Sequence, residues 1–164
     1  MYTGTWKNCV KDGEGVLTYA DGSRVECNFI NEYPEGRGVK LFPDGSVYKG
    51  CFKQGLFHGQ GRYRQPLDGS EYNGNWVRNE MRGQGVKKLK FGAIEIAGSF
   101  GANQEVHGKG LKKWRKVIKN ARSMRTKQFE YYIYRGNLFN SQIDGFGEFK
   151  WPDGRHYIGD FVNS

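Results

Sequence analysis

The pair Gly-x-Gly recurs along this chain as "GEG" at Gly13, "GRG" at Gly36, "GQG" at Gly59, "GQG" at Gly83, "GKG" at Gly108 and "GFG" at Gly145, at spacings of 23, 23, 24, 25 and 37 residues. A period of 23 broken once marks an array of small units, none able to bury its apolar face without its neighbours. Two further series keep the same beat. One is "YTGTW" at Tyr2, "VECNF" at Val25, "YKGCF" at Tyr48, "YNGNW" at Tyr72, "IAGSF" at Ile96, "YRGNL" at Tyr134 and "YIGDF" at Tyr157. Between it and the glycine pairs sit "ADGS" at Asp21, "PDGS" at Asp44, "LDGS" at Asp68 and "PDGR" at Asp153.

Each unit reads as a β-hairpin. Asp-Gly between two short runs rich in Val, Tyr and Phe predicts a tight type I′ turn, and Gly-x-Gly predicts the return loop, where the backbone needs positive φ or close approach. Alternation places Val25, Cys27 and Phe29 on one face, as it does Tyr48, Gly50 and Phe52, and Tyr72, Gly74 and Trp76. The expected fold is all-β: residues 1–164 form a single elongated array of about six antiparallel hairpins, a twisted, groove-like, single-layer sheet on the order of 60 Å long.

"YKGCFKQGLFHGQGRYRQPLDGSEYNGNW", residues 48–76, resembles the MORN repeat (membrane occupation and recognition nexus): Tyr-x-Gly-x-Trp/Phe, a short Gly loop, His-Gly-x-Gly, then Asp-Gly-x-x-Tyr. The resemblance extends over nearly the whole chain. Departures are Val25 and Ile96 for Tyr, Cys27 for Gly, Leu138 for the closing aromatic, and "FGAI" at Gly92 for Asp-Gly. The resemblance implies a single-layer antiparallel sheet with an aromatic-lined groove and a binding or scaffolding role. Members of that family sit in cilia and the cytoskeleton, at membrane contacts, and beside catalytic modules, and no catalytic residues come with the repeat.

The titratable residues point the same way. His58 and His107 fall within His-Gly-x-Gly as structural histidines, and His156 beside Tyr157 is solvated; none belongs to a metal-ligand cluster. Asp21, Asp44, Asp68 and Asp153 recur because turns want them. Gly-x-Gly lacks the helix and the Lys or Ser/Thr of a phosphate-binding loop. No enzyme activity, metal or cofactor is expected. Cys9, Cys27 and Cys51 match neither a disulfide framework nor a zinc site and read as free thiols. With no membrane-length apolar run and no secretory start, the expected place is cytoplasmic, at a cytoskeletal or ciliary structure.

Charge is concentrated. Of 26 Lys and Arg against 17 Asp and Glu, eight fall between Lys112 and Lys127 with no acid among them: Lys112, Lys113, Arg115, Lys116, Lys119, Arg122, Arg125 and Lys127. This stretch is an insertion at the tip of the fifth hairpin. With Trp114 fixed by the repeat and "QFEYYIYRG" returning as a lengthened strand from Gln128, the inserted element is Arg115 to Lys127. Val117, Ile118, Ala121 and Met124 mark one stripe of a short helix, and a solvated loop is the alternative. Either way the segment is the expected docking element for an acidic partner or surface.

Tyr19, Phe42, Trp114 and Trp151 share one place in the repeat with Leu89, the fourth residue after the second Gly, and with Trp76 they are the candidate groove aromatics. A thin sheet leaves apolar surface exposed, and such surface binds partners; an amphipathic partner helix in the groove is the expected occupant. The expected function is a non-catalytic protein-interaction scaffold, with anionic phospholipid recruitment through the basic insertion as the alternative. RNA or DNA contact is a minor alternative, because aromatics are not interleaved with the charges along the sequence. The opening strand "YTGTW" and the closing "YIGDF" read as open edges, which predicts end-to-end self-association or docking within a larger assembly.

Overall fold

The computed structural model describes residues 1–101, 103–117 and 129–162. Its strands are β1 (Tyr2–Lys7), β2 (Val10–Thr18), β3 (Arg24–Ile30), β4 (Tyr33–Leu41), β5 (Val47–Lys53), β6 (Leu56–Arg64), β7 (Glu71–Val77), β8 (Glu80–Leu89), β9 (Ile94–Phe100), β10 (Val106–Val117), β11 (Phe129–Phe139), β12 (Gln142–Lys150) and β13 (His156–Phe161). They lie in one 13-stranded sheet in chain order, every neighbour antiparallel. The all-β hairpin array is as the sequence predicts.

The turns are not. Asp-Gly does not form the two-residue type I′ turn. The Tyr19 N–H donates to the Ser23 carbonyl (2.8 Å) and the Gly22 N–H to the Tyr19 carbonyl (3.1 Å), closing a three-residue loop in which only Gly22, at φ 85°, is left-handed. The Asp21, Asp44 and Asp68 carboxylates each accept from the backbone N–H two residues on, at 2.8 Å, which is why Asp recurs there. The type I′ turns stand at the opposite end of the strands: Asn8-Cys9, Asn31-Glu32, Gln54-Gly55, Arg78-Asn79 and Asn140-Ser141 all have positive φ at both residues.

Nine of those ten left-handed residues are not glycine, and at Asn31-Glu32, Arg78-Asn79 and Asn140-Ser141 a lateral clamp offsets the strain. The second turn residue donates its N–H to a carbonyl of the preceding unit and its side chain accepts from the same residue's N–H. Asn79 N–H donates to the Phe57 carbonyl (3.0 Å) while Asn79 Oδ1 accepts from Phe57 N–H (2.8 Å). Ser141 holds Val106 in the same way (3.0 Å for both bonds), and Glu32 holds Lys11 (3.0 and 2.6 Å).

Gly-x-Gly forms no loop; both glycines lie inside strands. The first, as at Gly59 (φ 67°) and Gly83 (φ 67°), takes the left-handed conformation where the strand pairing slips by a bulge. The second belongs to a column of directly paired residues running across all thirteen strands: Gly4, Gly15, Cys27, Gly38, Gly50, Gly61, Gly74, Gly85, Gly98, Gly110, Gly136, Gly147 and Gly159. Tyrosines two residues upstream lie flat over this column. A Cβ on Gly61 would come within 2.6 Å of the Tyr48 ring, and one on Gly50 within 2.5 Å of the Gly61 Cα. The phenols are anchored at the far side, Tyr48 to the Cys51 carbonyl (2.8 Å), Tyr72 to Asn75 (3.0 Å) and Tyr134 to Asn137 (2.9 Å). This is how a one-layer sheet buries side chains: Tyr48, Tyr72 and Tyr134 are sealed, together with Phe29, Phe52, Trp76, Phe100 and Leu138. Each fully buried ring contributes about 2 kcal/mol or more of transfer free energy.

The irregular units keep the volume by other means. Val25 is too short to cross the column, and Cys27 fills the space a phenol would take, its thiol donating to the Asn28 carbonyl at 3.0 Å. At Ile96 the gap above Gly98 is filled from the neighbouring strand by Val106, whose Cγ1 lies 2.5 Å from where a Gly98 Cβ would stand.

The fifth hairpin requires a further correction. Arg115, Lys116 and Val117 are not part of a helix or loop but continue β10, paired with Tyr131, Glu130 and Phe129. The aromatic-rich "FEYYIY" run supplies a partner strand for them, so the ladder extends past the end of the repeat. Residues 118–128, with Lys119, Arg122, Arg125 and Lys127 and the Ile118, Ala121 and Met124 stripe, lie outside the described residues.

Candidate interaction surface

The five candidate aromatics divide into three environments. Trp76 is in the core, 4 % exposed, its indole N–H donating to the Gly61 carbonyl at 3.0 Å and its ring edge-on to Tyr48, Phe57 and Tyr72 at 5.2 to 5.5 Å. It is not available as a groove wall; its repeat position, at the end of the Tyr-Gly-Trp strand, faces the sealed side. Tyr19 and Phe42 form a small half-exposed pair bridged by the Lys40 ammonium, 5.2 and 5.0 Å from the two ring centres. Phe42 also meets Phe57 and Tyr63 edge-on at 6.3 and 6.0 Å.

Trp114 and Trp151 come together at the long hairpin. Trp114 stacks parallel to Tyr132 (centroids 5.7 Å, 10° between planes) and meets Phe149 edge-on at 5.5 Å. Phe149 touches Trp151 at 4.5 Å, and the Arg155 guanidinium stands 5.7 Å from the Trp151 ring. These four rings are only half-buried, Trp114 and Phe149 packed at the margin of the core. Tyr132 and Phe149 do not stand at the repeat position shared by Trp114 and Trp151; the signal for Tyr132 is the high strand propensity of "FEYYIY".

Basic residues lie among aromatic rings on both faces of the stem. Lys112 is half-buried beside Tyr134, its ammonium donating to Gln142 Oε1 at 2.7 Å, and burial lowers its pKa from the usual lysine value. Lys113 lies over the Tyr131 ring at 4.5 Å and Arg115 over Phe129 at 4.4 Å, while Arg115 also donates to the Phe91 carbonyl (3.2 Å). Lys116 is exposed opposite Glu130. Interleaving of cations and rings, absent along the sequence, is created across the ladder. Beside the stem is a notch of about 460 Å3 lined by Phe129, Glu130, Tyr131, Ile133, Lys150, Trp151, Pro152 and Asp153.

The histidines stand apart from one another. His58 and His107 are in β6 and β10, the latter edge-on to Phe139 at 5.3 Å, and His156 opens β13. Among the described residues no three His, Cys, Asp or Glu side chains converge as metal ligands, and no helix is long and apolar enough to cross a membrane. The three cysteines are free thiols, and burial pushes the Cys27 thiol up to about 11.

A hairpin array with a phenol laid across paired glycines defines a class of repeat modules that present surfaces. Residues 2–24, 28–47, 48–66, 72–89 and 134–154 match the MORN repeat, and the chain belongs to the MORN-repeat family. The unmatched stretch from 90 to 133 is the irregular β9 unit and the long hairpin. The chain is similar to alsin of Rattus norvegicus, 40 % identical over 100 residues and 58 % of this chain, and to alsin of Homo sapiens, 39 % identical over the same share. It is also similar to Protein TIC 100 of Arabidopsis thaliana, 31 % identical over 106 residues and 63 % of this chain. The aligned region is 6 % of the length of the alsins and 12 % of TIC 100.

Proposed function

We propose that the chain is a non-catalytic interaction scaffold whose long hairpin is the docking site for an amphipathic segment of a partner protein. One observation carries this reading: Trp114, Tyr132, Phe149 and Trp151 form one connected, half-exposed aromatic cluster, with Lys112 and Lys116 on the same face of the stem and the Arg155 guanidinium 5.7 Å from the Trp151 ring. Clustered aromatics beside Arg and Lys supply most of the energy of protein interfaces. The same cations favour anionic phospholipid as the second reading, each contributing about 1 kcal/mol near an acidic surface. Cytoplasmic placement, at a cytoskeletal or ciliary structure, is part of the proposal.

The test is a Trp114→Ala/Trp151→Ala double variant against the parent chain, in quantitative cross-linking to proteins of the native source and in co-sedimentation with phosphatidylserine vesicles. Loss of defined protein cross-links with vesicle binding unchanged supports the scaffold. Unaltered cross-links would sink it.

A further inference from the structure

The stem of the long hairpin is asymmetric at its two edges. On the β10 side, pairing with β9 reaches Trp114, and Arg115 then closes the edge by donating its N–H to the Ala93 carbonyl (3.0 Å) and its guanidinium to Phe91. On the β11 side, pairing with β12 stops at Ile133 opposite Lys150. The next residue of β12, Trp151, turns away and donates its N–H to Arg155 within its own loop (2.9 Å). Phe129 to Tyr132 therefore stay paired to β10 on one side and have no strand on the other among the described residues. Four residues give about 13 Å of open backbone edge. The 460 Å3 notch lies against that edge, floored by Trp151 and Pro152.

We infer that this notch takes an extended acidic segment of a partner protein, which adds to the sheet as a strand along the Phe129–Tyr132 edge. This rests on the reading of the chain as an interaction scaffold and names the partner's chemistry. Open strand edges recruit strands, with backbone hydrogen bonds giving affinity and alternate side chains giving selectivity. One face of the added strand would meet Tyr132 and Trp151; the other would meet Lys113, Arg115 and Lys150. The acids nearby are Glu130, Asp153 and Glu95, the last opposite Lys113 and 4.0 Å from Lys88; Asp153 is already paired with Arg155 (2.8 Å), so the net charge at the edge is positive and selects Asp or Glu in the partner. The edge is internal to the array, made by β11 outrunning β12.

The probe is a capped seven-residue peptide alternating Glu and Val, fluorescein-labelled, titrated with the intact chain in an anisotropy assay. Three controls accompany it: the same peptide with alternate backbone nitrogens methylated, its Lys/Val counterpart, and a Lys113→Glu/Lys150→Glu variant whose melting is checked first. Expected are saturable binding of the Glu/Val peptide, at least tenfold weaker binding after N-methylation and in the variant, and no binding of the Lys/Val peptide. Equal binding of the methylated peptide overturns strand addition, and so does no binding of the Glu/Val peptide or stronger binding to phosphatidylserine vesicles or an oligouridylate. If the peptide fails while the Trp114/Trp151 variant still loses its protein cross-links, the scaffold reading stands and the strand addition alone falls.

Discussion

The stretch from β5 to β8 and the stretch from β9 to β11 are built on the same glycine column and use it differently. In the first, Tyr48 and Tyr72 cross the column, anchor at the far side and leave Phe52, Phe57 and Trp76 sealed between them. In the second, Ile96 stops short, Val106 fills in from the side, and the strands run on past the repeat. The column is what the fold changes least: twelve of its thirteen places are glycine, and the one Cβ it admits, that of Cys27, stands where the phenol is missing. What stands on it is negotiable if volume is kept. Freedom to vary is therefore greatest where the phenol is missing, and the open aromatic and cationic surface is found next to that unit.

The largest effect that would break this comparison is a side chain on the column. Gly61→Val should destabilise by about 3 kcal/mol or abolish the cooperative melt, since the added carbons meet the anchored Tyr48 ring and the ring cannot yield without losing its bond to Cys51. Urea titration followed by tryptophan fluorescence measures it. Next, Val25→Tyr alone should cost about 1–3 kcal/mol because Cys27 occupies the phenol's path, whereas Val25→Tyr with Cys27→Gly should return to within about 1 kcal/mol of the parent. A double-mutant cycle with no coupling would refute the exchange of volume. Smaller again is Asn79→Ala, which removes the clamp on Phe57 N–H and leaves a left-handed alanine, at about 1–2 kcal/mol by thermal melting; Asn79→Gly should recover part of that loss.

The pH dependence has a sign at each end. Hydrogen bonds from Ser23, Ser46, Ser70 and Arg155 hold Asp21, Asp44, Asp68 and Asp153 below the ordinary aspartate value of 3.8. Their stabilisation is complete above that value and disappears as pH falls through the lowered one, so the melting temperature should drop modestly below about pH 4. At the alkaline end burial pushes Tyr72 up to about 12, and Tyr48 and Tyr134 upward too. The folded state keeps these protons, so stability is lost as pH rises from the ordinary value of 10 toward 12.

Much of this was legible in the sequence. The period, the hairpins and the alternating faces of Val25, Tyr48 and Tyr72 follow from spacing, because a strand puts every second residue on one side. Turn chemistry is not legible there because Asp-Gly suits both a two-residue turn and a three-residue loop, while the type I′ turns at Asn31-Glu32 and Arg78-Asn79 contain no glycine. What holds those residues left-handed is a bond to the preceding unit, which single-unit propensity does not contain. Trp76 and Trp114 are the same residue type in neighbouring units, but one ends the strand that carries the phenol and the other extends beyond it. Burial follows register there, not identity. The cation and aromatic alternation at the stem was hidden for the same reason: Lys113 and Tyr131, or Arg115 and Phe129, are far apart in sequence and adjacent only once β10 and β11 pair.

Residue-resolved amide hydrogen exchange on the intact chain, comparing the β5 to β8 strands with the two ends of β11, tests this contrast between sealed array and open edge most directly. Slow exchange is expected through β5 to β8 and from Tyr134 to Leu138. From Phe129 to Tyr132, amides directed away from β10 should exchange at least a hundredfold faster than the slowest of those. Uniform protection along the whole of β11, equal to that of β7, would contradict it.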